Sequence, residues 1–391
     1  MNDKLKVYFR FVFSVIFSLI LFFLPYLIVK ANSLSLDGSE YKKVKIYQNG
    51  SFKEIKVLDP TSLVFVGDVL LGSRMESLAQ QNGADFPFRF VRPYLDSVDL
   101  SVANLENPIT DCTSKTPGKS QESIEDGRNY VFKVSKELGR SAVQNSGIDV
   151  FSLANNHVMD YQGQGLKDTI KIFGSEGIGY VGAGRNDSEA SSPRIFEANG
   201  QKVGIAAYSM VVPPLSAAQD GGAGINKFDM KKMKEDISEL TEKADIVVVV
   251  LHWGKEGSNY PGSYQIDIAH AAIDAGANLV VGHHPHVLQG IEVYNGGLIA
   301  YSLGNFVFTQ GFRYNETAVL YVYFLGGKIQ RAEVKPILID NGQPRPVWGI
   351  QADAINNKII KFSNVLGEIN WNDSQDLLYI PFDFRTSFRS F

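Results

Sequence analysis

Short apolar segments of this chain repeatedly end in residue types that bind metal ions. Each segment has the length and composition of a buried strand. The residues that follow the five segments are Asp68, then Glu106, then Asn156 with His157, then His252, and last His284 with His286. Open α/β sheets collect their ligands at the carboxyl ends of the strands. The pattern therefore predicts a layered α/β body with one site along its strand ends.

The segment Gly282-His283-His284-Pro285-His286 contains three of the six histidines in the protein. The spacing of His284 and His286 lets two imidazoles leave one loop toward a common point. Imidazole suits zinc, iron, nickel and copper, and carboxylate partners extend the range to manganese. The alternative interpretation is a polar surface loop.

The predicted ligand set is large enough for two divalent cations. It comprises Asp68, Glu106, Asn156, His252, His284 and His286. A metal pair spaced about 3.5–4 Å lowers the pKa of a shared water and stabilises the attacking and leaving oxygens. His157 would then protonate a leaving group or hold transition-state charge. Taken one at a time, Asp68 could instead be a helix cap and His157 a solvated residue in an asparagine turn.

Composition excludes several classes of protein. The formal net charge is −4 and the isoelectric point is near 5.9, so no nucleic-acid partner is expected. Cys112 is the single cysteine, which excludes an internal disulfide and a cysteine-based metal site.

The amino-terminal region predicts a membrane anchor. Residues 11–29 are nineteen consecutive uncharged residues, enough to cross the ~30 Å hydrocarbon core as a helix. Lys4, Lys6 and Arg10 precede this segment and keep the amino terminus in the cytoplasm, so the main domain is expected outside the cell membrane. The alternative is a secretory signal cleaved near Ala31, which has the same consequence for the main domain.

The rest of the chain divides by composition. Residues 1–10 are the expected cytoplasmic end, and 30–60 form a spacer with a possible hairpin around the turn at Asn49-Gly50. Residues 61–312 carry all the motifs, and 313–340 predict a hairpin that extends the sheet. Residues 341–391 form a carboxyl-terminal extension in which no chemistry is evident.

The motifs together resemble the bacterial capsule synthesis protein CapA family, the poly-γ-glutamate capsule proteins also called PgsA. They occur in the family's order between Leu63 and Phe308. The segments that carry the resemblance are Val66-Gly67-Asp68, Asn104-Leu105-Glu106-Asn107-Pro108, Ala154-Asn155-Asn156-His157 with Asp160, His252-Trp253-Gly254, Gly282-His283-His284-Pro285-His286-Val287 and Ser302-Leu303-Gly304-Asn305-Phe306.

This family is similar to calcineurin-like metallophosphoesterases, which implies a four-layer α/β/β/α sandwich and two divalent transition metal ions, manganese, iron or zinc. By the resemblance, Asp68 corresponds to the first-strand aspartate, and Asn156 and His157 correspond to a metal ligand and a catalytic histidine, the latter grouped with Asp160. His252 corresponds to a lone histidine ligand, and His284 with His286 to a final His-x-His pair. The chain departs from the phosphoesterase pattern at Leu70, where a histidine is usual, and at Glu106, which replaces an aspartate.

The resemblance implies a membrane-anchored protein of capsule biosynthesis that acts on an anionic cell-surface polymer by metal-dependent hydrolysis. The alternative is a non-catalytic, metal-containing subunit that binds the polymer and helps to export it through a membrane synthase complex. A tethered phosphatase is a third hypothesis.

Overall fold

The computed structural model of the chain describes residues 32–36, 39–48, 51–117, 130–309, 314–374 and 376–382. The predicted membrane segment 11–29 and the cytoplasmic end 1–10 lie outside these residues. No helix within the described ranges is long and apolar enough to cross a membrane. The chain divides into two compact units, Met1–Asp59 and Pro60–Phe391.

The first unit contains a three-stranded antiparallel sheet. Its strands, in order along the sheet, are β1 (Asn32–Leu36), β2 (Ser39–Gln48) and β3 (Ser51–Leu58). Gln48 lies opposite Ser51, so β2 and β3 form the predicted hairpin, with its two-residue turn outside the described residues.

The second unit alternates strands and helices. Its strands are β4 (Thr61–Val69), β5 (Leu100–Leu105), β6 (Val150–Ser152), β7 (Gly179–Val181), β8 (Ala183–Gly184), β9 (Arg194–Ala198), β10 (Gln201–Ser209), β11 (Gly224–Ile225), β12 (Ile246–His252), β13 (Leu279–His283), β14 (Ile291–Tyr294), β15 (Gly297–Ala300), β16 (Asn305–Val307), β17 (Glu316–Leu325), β18 (Lys328–Asp340), β19 (Gln343–Pro346), β20 (Asn372–Ser374) and β21 (Leu377–Pro381). Its helices are α1 (Arg74–Asn82), α2 (Arg92–Leu95), α3 (Lys136–Gln144), α4 (Gln162–Glu176), α5 (Asp187–Ser191), α6 (Met230–Lys243), α7 (Ser263–Asp274) and α8 (Ile350–Ser363).

Two large sheets organise this unit. The first runs β20-β21-β18-β17-β4-β5-β6-β7, with β16 also beside β4 and β19 beside β18. The second runs β14-β15-β13-β12-β10-β9. Strands β4 to β7 are mutually parallel, and so are β10, β12, β13 and β15. Their carboxyl ends therefore align along one edge of each sheet.

The two sheets pack face to face, with helices on their outer faces. Along β4, Leu63 and Phe65 join an apolar cluster that includes Val248 and Val250 of β12, while Val64 and Val66 join a second cluster with residues of α3 and α4. The opposite faces of β10, β12 and β13 pack with α6 and α7 in a third cluster. The layers thus lie in the order helix, sheet, sheet, helix, and the predicted α/β class is confirmed. Strands covered on both faces explain the unbroken apolar runs in the sequence.

The carboxyl-terminal part of the chain belongs to the same core. The predicted hairpin is present as β17 and β18, and β17 pairs directly with β4. Beyond it, α8 packs Ile355, Ile359 and Phe362 into the cluster between the sheets. Sequence analysis predicted none of β19, α8, β20 and β21, because the apolar patches there are short and separated by prolines and polar residues.

Candidate metal centre

The predicted ligand residues all lie at the carboxyl ends of the parallel strands in the two sheets. Asp68 is opposite Asn104 on one side and Asn305 on the other in the first sheet, and His252 is opposite His283 in the second. Close backbone packing holds the loop before β16 against the end of β4. A Cβ on Gly67 would lie 2.0 Å from the carbonyl oxygen of Gly304, so only glycine fits there.

The loop after β13 has an unusual backbone. His284 and His286 have φ values of 95° and 59°, in the left-handed region that residues with a Cβ seldom adopt. Such strain is concentrated at functional sites, where the surrounding structure holds it in place. The conformation brings one ligand atom of each histidine within 4.8 Å of the other and of a Glu106 oxygen.

Asp68 is fully buried and surrounded by four nitrogen atoms. Its Oδ1 accepts from Asn104 Nδ2 at 2.8 Å and from His283 Nδ1 at 3.0 Å. Its Oδ2 lies 3.3 Å from both His286 Nδ1 and the backbone nitrogen of His284. Burial by itself would raise the pKa of Asp68, but the bonds and charges of His283 and His286 outweigh it and hold the pKa well below its usual range. Asp68 is therefore an anion in this arrangement.

Glu106 is equally buried but lacks such partners. Neither carboxylate oxygen has a hydrogen-bond partner among the described residues. His252 Nε2 and His286 Nε2 lie 3.7 and 3.8 Å from Oε1, beyond hydrogen-bond distance. Burial, reinforced by the charge of Asp68, raises the pKa of Glu106 well above its usual value. Burying a carboxyl group without hydrogen bonds costs free energy unless another group, such as a cation, pairs with its oxygens.

His252 and His284 are held neutral. Burial and the nearby His284 lower the pKa of His252, and burial together with His286 lowers the pKa of His284 to about 4. Their rings are 4.8 Å apart between centroids. His252 Nε2 contacts Asn156 Oδ1 at 2.7 Å, but the Nδ1 atoms of both histidines are buried and unpartnered within the described part of the chain. Neutral imidazole is the form that binds metals.

The pKa of His286 is shifted in the opposite direction. Burial opposes its charged form, but Glu106 and Asp68 outweigh burial and raise its pKa to about 10. Its Nδ1 lies 2.9 Å from Asn305 Oδ1. In the absence of metal, a proton on His286 thus partly neutralises the negative charge of Glu106 and Asp68, which a bound cation would otherwise neutralise.

These residues fit a divalent cation. Glu106, His284 and His286 supply the compact ligand triplet described above, and the unpartnered Nδ1 of His252 lies beside His284. Carboxylate and imidazole ligands suit zinc, iron and manganese. Asn104 and His283 position Asp68 by hydrogen bonds, and Asn305 positions His286. Residues around the ligands of a metal site commonly have this role.

His157 and Asp160 form a pair beside the cluster. His157 Nδ1 lies 2.9 Å from Asp160 Oδ2, which also accepts from the backbone nitrogen of Phe132 at 2.8 Å. The Phe132 ring lies 4.6 Å from the His157 ring. His157 is close enough to His284 for its charge to contribute to the lowered pKa of that residue.

The structure therefore brings together every residue that the sequence analysis placed in the site. Their roles as metal ligands or catalysts stay predictions. Sequence reasoning missed the positioning contacts of Asn104, His283 and Asn305. Each lies inside a motif quoted above, but a strand residue's direction depends on register, which the motif does not state.

The fold and the cluster define the class of protein: a layered α/β protein with a buried carboxylate and imidazole centre at its strand ends. The family profile described as "Bacterial capsule synthesis protein PGA_cap" matches residues 62–310, and the chain belongs to this family.

Curated relatives agree with the profile. The chain is 36% identical to "PGA biosynthesis protein CapA" of Bacillus subtilis (strain 168), over 82% of this chain and 80% of the relative. It is 35% identical to "Capsule biosynthesis protein CapA" of Bacillus anthracis, over 73% of this chain and 69% of the relative. The resemblance recognised from the motifs is confirmed.

Among solved structures, the chain is similar to a 5'-nucleotidase precursor from Thermus thermophilus. The TM-score is 0.44 at 12% identity, and the match covers 78% of this chain and 59% of that one. A likeness at this level carries no inference about activity.

Proposed function

We propose that this chain is a single-pass cell-membrane protein whose extracytoplasmic domain acts in the biosynthesis of a poly-γ-glutamate capsule through metal-dependent hydrolysis. Family membership and the names of both Bacillus relatives support the role in capsule synthesis. The uncharged segment 11–29, with its preceding Lys4, Lys6 and Arg10, supports the anchor and its orientation.

One observation carries the metal assignment. Four buried ligand-type atoms, both oxygens of Glu106 and the Nδ1 atoms of His252 and His284, have no hydrogen-bond partner among the described residues. Buried polar atoms are nearly always paired in native proteins, and each unpaired one costs about 1–3 kcal/mol. Divalent cations bound among these side chains would supply the missing partners.

The ligand set is large enough for two cations. Glu106, His284 and His286 would hold one of them, and Asp68, Asn156 and His252 are the predicted ligands that remain for a second. Such ions, when bound, lower the pKa of a shared water and neutralise charge on the attacking and leaving oxygens.

The protein's own residues would handle the proton. Asp160 accepts the hydrogen bond from His157 Nδ1, so Nε2 is the nitrogen that exchanges a proton with a leaving group. The backbone nitrogen of Phe132 donates to the same Asp160 oxygen and fixes the carboxylate in place, and the ring of Phe132 covers one side of His157. Loss of Asp160 would therefore affect the tautomer of His157 as well as its position.

The test uses the full-length chain in detergent, loaded with Mn²⁺ and incubated with poly-γ-glutamate or a chromogenic phosphodiester. We expect turnover that requires metal and falls by about 100-fold or more in His157→Ala. His270→Gln is the matched control, since His270 pairs with Glu292 rather than with the cluster. Turnover that is unchanged in His157→Ala contradicts the catalytic assignment. Polymer retained without turnover supports the export-subunit hypothesis instead.

A further inference from the structure

A cavity of about 410 Å³ lies between the loop that follows His286 and helix α8. Val287 lines it and is the next residue after His286 in the chain. Tyr314 also lines it, and the carbonyl oxygen of Tyr314 accepts from Asn305 Nδ2 at 3.3 Å. Asn305 in turn contacts His286. The cavity walls are therefore connected to a predicted metal ligand by one peptide bond and by one chain of hydrogen bonds.

The charges in the cavity are unbalanced in favour of cations. Lys358 Nζ lies 2.6 Å from each carboxylate oxygen of Glu316, so these two charges neutralise each other. Lys361 is one helical turn further along α8 and lines the same cavity. It has no ion pair within the described part of the chain, and the lining carries one net positive charge.

The rest of the lining suits a short aliphatic chain. Tyr260 and Phe362 meet edge to face at 5.4 Å between ring centroids, and Leu288 lies with them. A glutamyl residue combines two methylene groups with one carboxylate, which matches an apolar wall beside a single ammonium group. A phosphate-rich polymer offers denser charge and no such aliphatic spacer.

We propose that this cavity is a subsite for poly-γ-glutamate, in which Lys361 binds the free α-carboxylate of a glutamyl residue next to the one at the metal centre. This inference rests on the proposed function. It assigns a role in substrate binding to α8, in the region of the chain where the sequence showed no chemistry.

The experiment measures binding of a fluorescein-labelled poly-γ-glutamate oligomer to the full-length chain in detergent with Mn²⁺. We expect Lys361→Glu to weaken binding by about fivefold or more, since it replaces an attractive charge by a repulsive one. Lys361→Arg should stay within about twofold of the wild type because it keeps the charge. Lys234→Glu on α6 is the matched control, an exposed lysine on the outer layer that should alter binding by less than about twofold.

Metal content, measured in the same samples, separates the two proposals. Lys361→Glu should retain the metal of the wild type. If the wild type binds the oligomer and Lys361→Glu behaves like Lys234→Glu, the subsite is wrong while the proposed function stands. If Mn²⁺-loaded wild type binds no oligomer, the proposed function and the subsite both fail.

Two further arms sharpen the result. Lys361→Gln removes the charge without adding another and should weaken binding by about threefold, which tests the role of the charge even if the charge reversal disturbs folding. A polyphosphate oligomer of equal charge should depend less on Lys361 than poly-γ-glutamate does. Equal or greater dependence with polyphosphate would overturn the choice of a carboxylate ligand.

Discussion

The second unit contains two buried glutamates near histidines, and the two differ in their partners. Glu292 on β14 is 6% exposed, with Oε1 2.9 Å from His270 Nε2 and Oε2 accepting from the Tyr301 hydroxyl at 2.7 Å. Glu106 is 0% exposed, and neither of its oxygens is paired among the described residues. A glutamate near histidines thus has both carboxylate oxygens hydrogen-bonded in one place and neither hydrogen-bonded in the other.

The difference lies in where the surrounding elements place the donors. Glu292 lies in β14, which pairs with β15 in an antiparallel arrangement, and helix α7 supplies its partner His270. Glu106 follows the last residue of β5, where the sheet has ended and only other strand ends are near. Carboxylate and histidine in contact are therefore poor evidence for a metal site. An unpaired carboxylate at strand ends is better evidence.

The largest effect should come from removing two predicted ligands at once. In the double variant Asp68→Asn with His284→Ala, we expect metal affinity to fall by at least about 100-fold, because both ends of the cluster lose a ligand. Metal analysis of the purified full-length protein measures this. Full metal retention in the double variant would defeat the assignment, and His270→Gln should retain the metal of the wild type.

Matched substitutions at the two glutamates test the comparison directly. In metal-free protein, Glu292→Gln should lower the free energy of unfolding by about 2 kcal/mol, because it weakens charge-assisted bonds to His270 and Tyr301. Glu106→Gln should leave it unchanged or raise it, because the variant removes a carboxyl that burial penalises.

Added Mn²⁺ should reverse the order of these two variants. At a 100-fold excess over its Kd, the metal adds about 2.7 kcal/mol to the stability of a protein that binds it. Glu292→Gln should gain this stabilisation and Glu106→Gln should not. Denaturant unfolding with and without metal measures both, and equal gains in the two variants would remove the distinction between the two glutamates.

A smaller effect is expected at the residue that positions His286. Asn305→Ala removes the contact between Asn305 Oδ1 and His286 Nδ1 and should weaken metal binding by about tenfold. Asn356→Ala on α8 is a control, since both of its polar side-chain atoms are already unpartnered within the described residues. Calorimetric titration with Mn²⁺ compares the two, and similar affinities would show that Asn305 does not position the ligand.

Metal binding should also depend on pH. His286 has a pKa of about 10 in the metal-free protein, so a cation must displace its proton at any pH below that value. Affinity should therefore rise with pH, by no more than about tenfold per unit for each proton displaced. His284, with a pKa of about 4, is already neutral and contributes nothing to this dependence between pH 6 and 8. Titrations at pH 6, 7 and 8 measure the slope, and affinity that falls with rising pH would contradict the ligand role of His286.

Sequence reasoning predicted most of the elements that form the site. Apolar runs such as that of β12 identify buried strands because both faces need apolar residues, and the polar residue after each run marks the strand end. The contacts of His283 and Asn104 with Asp68 were not predictable in this way. Those residues are 215 and 36 positions from Asp68, and their pairing depends on strand register and on how the two sheets pack.

The sequence by itself determined which residue types end each strand, the family to which the chain belongs, and an uncharged segment long enough to cross a membrane. Those properties depend on local pattern and composition. The tertiary structure alone decided that Asp68 is fully bonded while Glu106 is not, and that Lys361 on a distant helix lines the same cavity as Val287. These are distances between segments far apart in the chain, and only the packing of two sheets and a helix sets them.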